Sequence, residues 1–325
     1  MRRGFIVGKF LPPHAGHDFL IDMARAHVDE LTVAVCDKTG QPIPARLRAR
    51  WLSEAHPDVT VIVVPDRLAD DDSAGWAAYT REFLGYVPDV VFSSEAYGDT
   101  YARLLGSEHV AVDRAREQIP ISATAIRADP LAHLDRLAPA VRAYFVRRVC
   151  AIGPELTGKT VLCERLAARF DAPHVAEYGR DYTIAKQSTS NPDVWTPDEF
   201  VHIAREQQRR EDEAARRSNG LVICDTDAFA TEIWLERYLG AHEIGGWPVR
   251  DRAMDLYLLT DPNVPFVPDA IRDGEHLRVW MFDRFVTELK RRDLPYIVLS
   301  GDYEERERTA FAATLALLAN ELPMP

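Results

Sequence analysis

Cysteine is scarce in this 325-residue chain, and its four copies (Cys36, Cys150, Cys163 and Cys224) include no C-x-x-C pair. That spacing argues against zinc and dithiol chemistry and favours buried free thiols in a reducing compartment. Long apolar runs are also missing, so no segment is expected to cross a membrane, and the N-terminus lacks the h-region of a secretion signal. Positive charge is in deficit: 39 Lys and Arg stand against 51 Asp and Glu, a net charge of −12. Nonspecific nucleic-acid binding needs a positive surface and is not expected. Anionic small substrates stay open, because basic groups can dominate inside a cleft. No Gly/Ser-rich linker, internal repeat or low-complexity tract is present. The expectation is a cytoplasmic, non-membrane protein of two domains.

Residues 1–140 alternate strand-like and helix-like patterns. Strands are expected at Phe5–Val7, Leu31–Cys36, Val59–Val64, Val90–Phe92 and Val110–Val112. A helix presenting Leu20, Met23, Ala24 and Val28 on one face lies between the first two, and another covers Ala45–Ala55. The pattern restarts near Arg147, with strands at Val149–Ile152, His174–Ala176, Leu221–Cys224, Leu256–Leu259 and Tyr296–Leu299. Thr196–Arg217 reads as a solvent-facing helix opened by Pro197, with Thr196 and Glu199 as a capping box. The fold class is therefore α/β, with two parallel, doubly wound sheets in domains 1–144 and 145–325.

Two phosphate-handling strings follow the first strand of each half. In the first, Gly8, Lys9 and Phe10 leave a strand and lead through His14-Ala15-Gly16-His17 into a helix, aiming backbone N–H groups at an anion. His14 and His17 are three apart, so both rings can face one phosphate. Such a site suits nucleotidyl transfer, in which an already ionised phosphate attacks the α-phosphorus of ATP and catalysis reduces to positioning and charge stabilisation. A helix-capping pair or a zinc pair are the competing readings of the two histidines. Further on, Ser122 and Thr124 can cap a helix and bind phosphate, and Arg127 can meet the leaving pyrophosphate.

The second string, Gly153-Pro154-Glu155-Leu156-Thr157-Gly158-Lys159-Thr160, fits the P-loop pattern between a strand and a helix. Its amides would hold the β-phosphate, Lys159 would bridge β and γ, and Thr160 would bind Mg²⁺. Leu221–Asp225 is an apolar strand ending in a carboxylate, which suits Asp225 for the magnesium shell, with Asp227 assisting. Phosphoryl transfer to a neutral hydroxyl profits from a base. Glu177 is the candidate and Asp225 the rival, while Tyr178, Arg180 and Asp181 would shape the acceptor pocket. Arg272 and Arg278 are candidates for a cationic lid.

The His-x-Gly-His string with Ile121-Ser122-Ala123-Thr124-Ala125-Ile126-Arg127 resembles the nucleotidyltransferases that include nicotinamide mononucleotide (NMN) adenylyltransferases. The order of that motif, then a P-loop, then Ala176-Glu177-Tyr178-Gly179-Arg180, resembles the bifunctional NadR-type family across nearly the whole chain. The resemblance implies a Rossmann-like nucleotidyltransferase followed by a P-loop kinase, with His14, His17, Ser122, Thr124 and Arg127 on ATP. It implies phosphorylation of nicotinamide riboside to NMN and adenylylation of NMN to NAD, with ATP as co-substrate, Mg²⁺ as cofactor and a homo-oligomeric state. The substrate's cationic ring suits aromatic faces and carboxylates, and Trp76 is a candidate for stacking, set against a plain core role. The first motif begins at residue 8, which leaves no room for the helix-turn-helix domain of some relatives, so DNA-binding repression is not expected. A nucleoside kinase whose first domain only senses or binds nucleotide, as a regulatory, transporter-linked protein, is the alternative.

Overall fold

Short β-branched runs buried on both faces, separated by amphipathic helices, build two parallel sheets. The computed structural model describes residues 1–240, 247–248, 254–263 and 275–320, with the backbone alone at 275–276. The chain divides into two compact units, Met1–Arg142 and Ala143–Pro325.

The N-terminal unit runs β1 (Arg3–Gly8), α1 (Ala15–Arg25), β2 (Glu30–Asp37), α2 (Ala45–Ala55), β3 (Thr60–Pro65), α3 (Ser73–Leu84), β4 (Val90–Ser93), α4 (Gly98–Leu105), β5 (Glu108–Ala111) and α5 (Ala123–Ala128). A short 3₁₀ turn and α6 (Pro139–Phe145) lead to the second unit. The strands pair in parallel in the order β3-β2-β1-β4-β5. Alternate residues of each strand serve opposite faces. Ile6, Val33, Val35, Val90 and Phe92 pack with Leu20, Ile21 and Ala24 of α1 and Leu52 of α2. Phe5, Ala34, Cys36 and Val91 pack on the other face with Ala77 of α3 and Tyr101, Ala102 and Leu105 of α4. One expectation fails here: Met23 is exposed, and Ile21 takes its place on the buried face of α1.

The C-terminal unit runs β6 (Arg147–Ile152), α7 (Lys159–Phe170), β7 (His174–Val175), α8 (Tyr178–Lys186), α9 (Pro197–Arg217), β8 (Leu221–Asp225), α10 (Ala228–Leu239), β9 (Leu256–Thr260), α11 (Glu275–Arg291), β10 (Tyr296–Leu299) and α12 (Tyr303–Leu318). Its parallel order is β10-β9-β6-β8-β7. Val149, Ala151, Leu221, Ile223, Leu256 and Leu258 pack against Leu162 and Leu166 of α7 and Ala310, Ala313 and Leu317 of α12. Toward the other face, Tyr257 meets Phe229 of α10, which meets Phe285 of α11. The four cysteines are all buried free thiols.

Helix α9 departs from the expected solvent-facing role. Its charges mask a stripe of Phe200, Ile203, Ala204, Gln207, Glu211 and Ala214, all buried at helical spacing. Its start is as read: Pro197 opens the helix, and the Thr196 N–H donates to the Glu199 carboxylate at 2.8 Å.

A fully buried cation ties the turn after β1 to its neighbours. Arg48 of α2 donates to the carbonyls of Ile43 (3.0 Å) and Cys36 (3.2 Å), to the carbonyl of Lys9 and to the Gln41 side chain. Replacing it strands several buried acceptors at once. Arg48→Met is expected to cost about 3 kcal/mol, read as a lowered urea midpoint. An unchanged midpoint would contradict this bracing role.

Candidate active sites

Each unit carries a cleft lined by the turn that leaves its central strand. In an open parallel sheet this is where strand order reverses and ligands bind.

The N-terminal cleft, of about 710 Å³, is lined by Gly8, Lys9, Phe10, Leu11, His17, Trp76, Ser93, Ala123 and Arg127 among others. His14 is the N-cap of α1, and its Nδ1 accepts the Gly16 N–H at 3.1 Å. Gly16 lets the His14 ring approach closely, since a Cβ there would press on that ring at 3.0 Å. The His14 and His17 rings lie 3.9 Å apart, and Phe10 packs on His17 at 4.8 Å. Burial pushes the His14 pKa down to about 4, with Asp18 opposing and Arg116 adding to the shift. Desolvation, then His14 and Arg116, lowers His17 as well. Both rings are therefore neutral at pH 7. Because the His14 Nδ1 accepts, its neutral ring carries its proton on Nε2 and can donate from there. The His17 Nδ1 is buried with no hydrogen-bond partner among the described residues.

Residues far apart in sequence meet at this cleft. Arg127 donates to the carbonyl of Leu11 at 2.6 Å and to Thr124 Oγ1 at 3.2 Å. Ser122 caps α5 by accepting the Ala125 N–H at 3.2 Å. The loop before it is organised by Asp113, whose carboxylate accepts three backbone N–H groups at 2.9 to 3.1 Å and is held below the usual range by them. Lys9 pairs with Asp70 at 2.7 Å, which raises its pKa. Trp76 borders the cleft and is held by a 3.1 Å bond from its indole N–H to the Ala69 carbonyl.

The C-terminal cleft, of about 280 Å³, is lined by Glu155–Val161, Glu177, Gly179, Arg180, Gln207, Thr226 and a group of aromatic rings. Lys159 donates to the carbonyl of Pro154 at 2.8 Å, so its ammonium lies over the loop's own backbone. Thr160 Oγ1 donates to Asp225 Oδ2 at 2.6 Å, and Asp225 Oδ1 is buried with no hydrogen-bond partner among the described residues. That hydroxyl–carboxylate pair is an all-oxygen donor set suited to a hard cation such as Mg²⁺. Gln207 of α9 joins two parts of the site: it accepts the Tyr178 N–H at 2.9 Å and donates to the Thr226 carbonyl at 3.2 Å.

Sequence reasoning missed three features here. Trp195, Phe200, Trp234 and Tyr238 form an aromatic wall, with Trp195 5.2 Å from Phe200 and 5.3 Å from Tyr238. Partial desolvation raises the Tyr238 phenol, with Arg237 opposing and Glu155 and Glu177 adding. Glu155, read as a loop residue, pairs with Arg237, whose guanidinium stacks on Trp234 and Tyr238. Arg306 of α12, buried, donates to the Thr157 carbonyl at 3.3 Å and braces the loop from behind.

Other expected residues make contacts of their own. Asp227 is buried away from the cleft, caps α10 by accepting the Ala230 N–H at 2.9 Å, and accepts the Tyr257 hydroxyl at 2.7 Å. Burial raises its pKa to about 6. Asp181 forms an exposed pair with Arg210 at 3.1 Å, and Tyr178 turns its hydroxyl to His202 at 3.1 Å. Arg278 is buried on α11 and donates to the Pro262 carbonyl at 2.6 Å. Arg272 lies outside the described residues.

The histidine pair gives the N-terminal unit an acid sensitivity of fixed sign. A His14 pKa of about 4 lies below the unfolded value of 6.5, so between those values only the unfolded chain binds the proton. Its contribution costs no stability at pH 7 and about 2 kcal/mol at pH 5. His14→Gln should recover that amount in urea unfolding at pH 5 and not at pH 7. An equal effect at both pH values would contradict the buried neutral state.

Residues 148–306 match the AAA domain family. The chain is 29% identical over 331 residues to the trifunctional NAD biosynthesis/regulator protein NadR of Escherichia coli strain K12, covering 93% of this chain and 80% of that protein. The NadR of Salmonella typhimurium strain LT2 is 28% identical, with the same coverage. A solved NadR protein in complex with NR superposes with a TM-score of 0.77 at 23% identity, covering 100% of this chain and 97% of that one. The chain is homologous to the NadR proteins over nearly its whole length.

Proposed function

We propose that the protein is a two-site enzyme of NAD salvage, phosphorylating nicotinamide riboside in the C-terminal unit and adenylylating the resulting NMN in the N-terminal unit. The carrying observation is that one chain holds two separate phosphate turns with different chemistry, a neutral histidine pair after β1 and a lysine-bearing P-loop after β6. The solved NadR proteins named with NR, and with NAD and AMP-PNP, suit this pairing of clefts.

In the kinase half, the cationic ring of the riboside lies against the wall of Trp195, Trp234 and Tyr238, where aromatic faces and Glu177 favour positive charge. Glu177 accepts the proton of the attacking hydroxyl, and Asp225, already bonded to Thr160, is left to the metal. Thr160 and Asp225 hold Mg²⁺, which when bound neutralises charge on the phosphates. Lys159 leaves the Pro154 carbonyl and spans the β- and γ-phosphates. Arg180 lines the acceptor side.

In the adenylyl half, a phosphate oxygen of NMN attacks the α-phosphorus of ATP and pyrophosphate leaves. No base is needed, because the nucleophile is already ionised. The His14 Nε2–H meets the phosphate, and His17, whose ring lines the cleft 3.9 Å from His14, adds a second imidazole. Arg127, fixed on Leu11 and Thr124, neutralises the leaving group. Trp76 offers a face to the acceptor ring.

Supplying riboside or NMN with ATP and Mg²⁺, and following ADP, pyrophosphate and NAD, tests the assignment. His17→Ala should lower pyrophosphate release by at least ~100-fold and leave ADP formation unchanged, while Lys159→Ala should do the reverse. Loss of both activities from either folded variant would contradict two independent sites.

A further inference from the structure

A hydrogen-bonded Asp–His–Ser relay borders the N-terminal cleft and is used by neither reaction as described. Ser93 closes β4 and lines the cleft on the side of the strand-order switch, next to β1. It is 5% exposed. Its Oγ lies 2.9 Å from His109 Nε2 on β5. The other ring nitrogen, His109 Nδ1, lies 2.7 Å from Asp99 Oδ1 on α4. Arg114 approaches the second oxygen of Asp99 at 3.6 Å. The relay occupies space that only glycine leaves free: a Cβ on Gly98, the first residue of α4, would fall onto both Ser93 Oγ and His109 Nε2.

The proton positions follow from donor and acceptor chemistry. A carboxylate can only accept, so in the neutral ring the proton sits on Nδ1, facing Asp99. Nε2 is then bare and accepts from the Ser93 hydroxyl. The competing acceptor, the Glu95 carbonyl, is 3.5 Å away, at the limit of a hydrogen bond. The shorter contact takes the proton. What Ser93 has left to present is its oxygen lone pairs, so toward a ligand it is an acceptor and not a donor.

We infer that Ser93, with its polarity fixed by His109 and Asp99, accepts a hydrogen bond from an N–H donor of the nucleotide bound in the N-terminal cleft and so selects amide or amine over carboxylate. Ser93 would touch ligand; His109 and Asp99 are positioning residues. The inference rests on nucleotide binding in that cleft, as in the function proposed above. Two ligand groups share this chemistry, the carboxamide of the acceptor nucleotide and the 6-amino group of adenine.

Calorimetry on the full chain separates them. NMN is compared with nicotinate mononucleotide, and ATP with purine riboside triphosphate, the latter pair in the Lys159→Ala background so that the other cleft is silent. Ser93→Ala should weaken the donor-bearing member of one pair by about tenfold and its donor-less partner by less than about twofold. The pair that responds names the group. His109→Ala, which frees the serine proton, should reproduce the loss of selectivity. Nitrogen-15 spectra of the unmodified protein should show the neutral His109 ring protonated on Nδ1. An Nε2-protonated ring, or equal losses for both members of both pairs, would overturn the inference. Selective binding without pyrophosphate release would instead sink adenylyl transfer and leave the role of Ser93 standing.

Discussion

A helix that starts at the carboxyl end of a central parallel strand leaves its first backbone N–H groups without intrahelical partners, and an anion satisfies them. Both units place a helix start at the cleft; that of α7 has no side-chain cap, whereas at α1 His14 takes the N–H groups of Gly16, His17 and Asp18 with its ring and carbonyl. In one, β1 feeds α1 through Gly8–His14; in the other, β6 feeds α7 through Gly153–Gly158. The donors cost nothing to orient, because the strand and the packed helix already hold them. What differs is the side chain added at the turn and the braces that keep the turn in place: Arg48 behind the first, Arg306 behind the second.

The two turns carry opposite kinds of added group. Around α1 the added groups are imidazoles kept neutral by burial, so they contribute hydrogen bonds and shape more than charge. Around α7 the added group is an ammonium, with a carboxylate and a hydroxyl beside it that suit a hard cation. A site of the first kind suits a reaction whose nucleophile arrives ionised. A site of the second kind suits one whose nucleophile must lose a proton as charge shifts along a triphosphate. A net charge of −12 is compatible with both, because local groups and helix starts outweigh the distant surface inside a cleft.

Much of this was legible in the sequence because it is local. Strand, turn and helix stand next to one another at Phe5–His17 and at Val149–Thr160, and the carboxylate at the end of Leu221–Asp225 follows from one apolar run. The sheets themselves follow from strands alternating with helices. What was not legible comes from distant segments. The aromatic wall takes one ring from each of residues 195, 200, 234 and 238, and nothing in their spacing marks a pocket. The Ser93–His109–Asp99 relay joins two strands and a helix. Helix α9 was misread because Gln207 and Glu211 sit at core positions, so a polar sequence hid a buried face. Asp227 looked like a site residue because it lies two places from Asp225, but the strand ends at Asp225, Thr226 takes a positive φ of 67°, and Asp227 becomes the N-cap of α10.

The central claim is that one polypeptide holds two adenine-nucleotide sites, each complete within its own unit. Titrating the full chain with a non-hydrolysable ATP analogue and Mg²⁺, and counting moles bound per mole of chain, tests it most directly. The account gives two, falling to one in Lys159→Ala with the other affinity unchanged. A stoichiometry of one in the unmodified protein would contradict it.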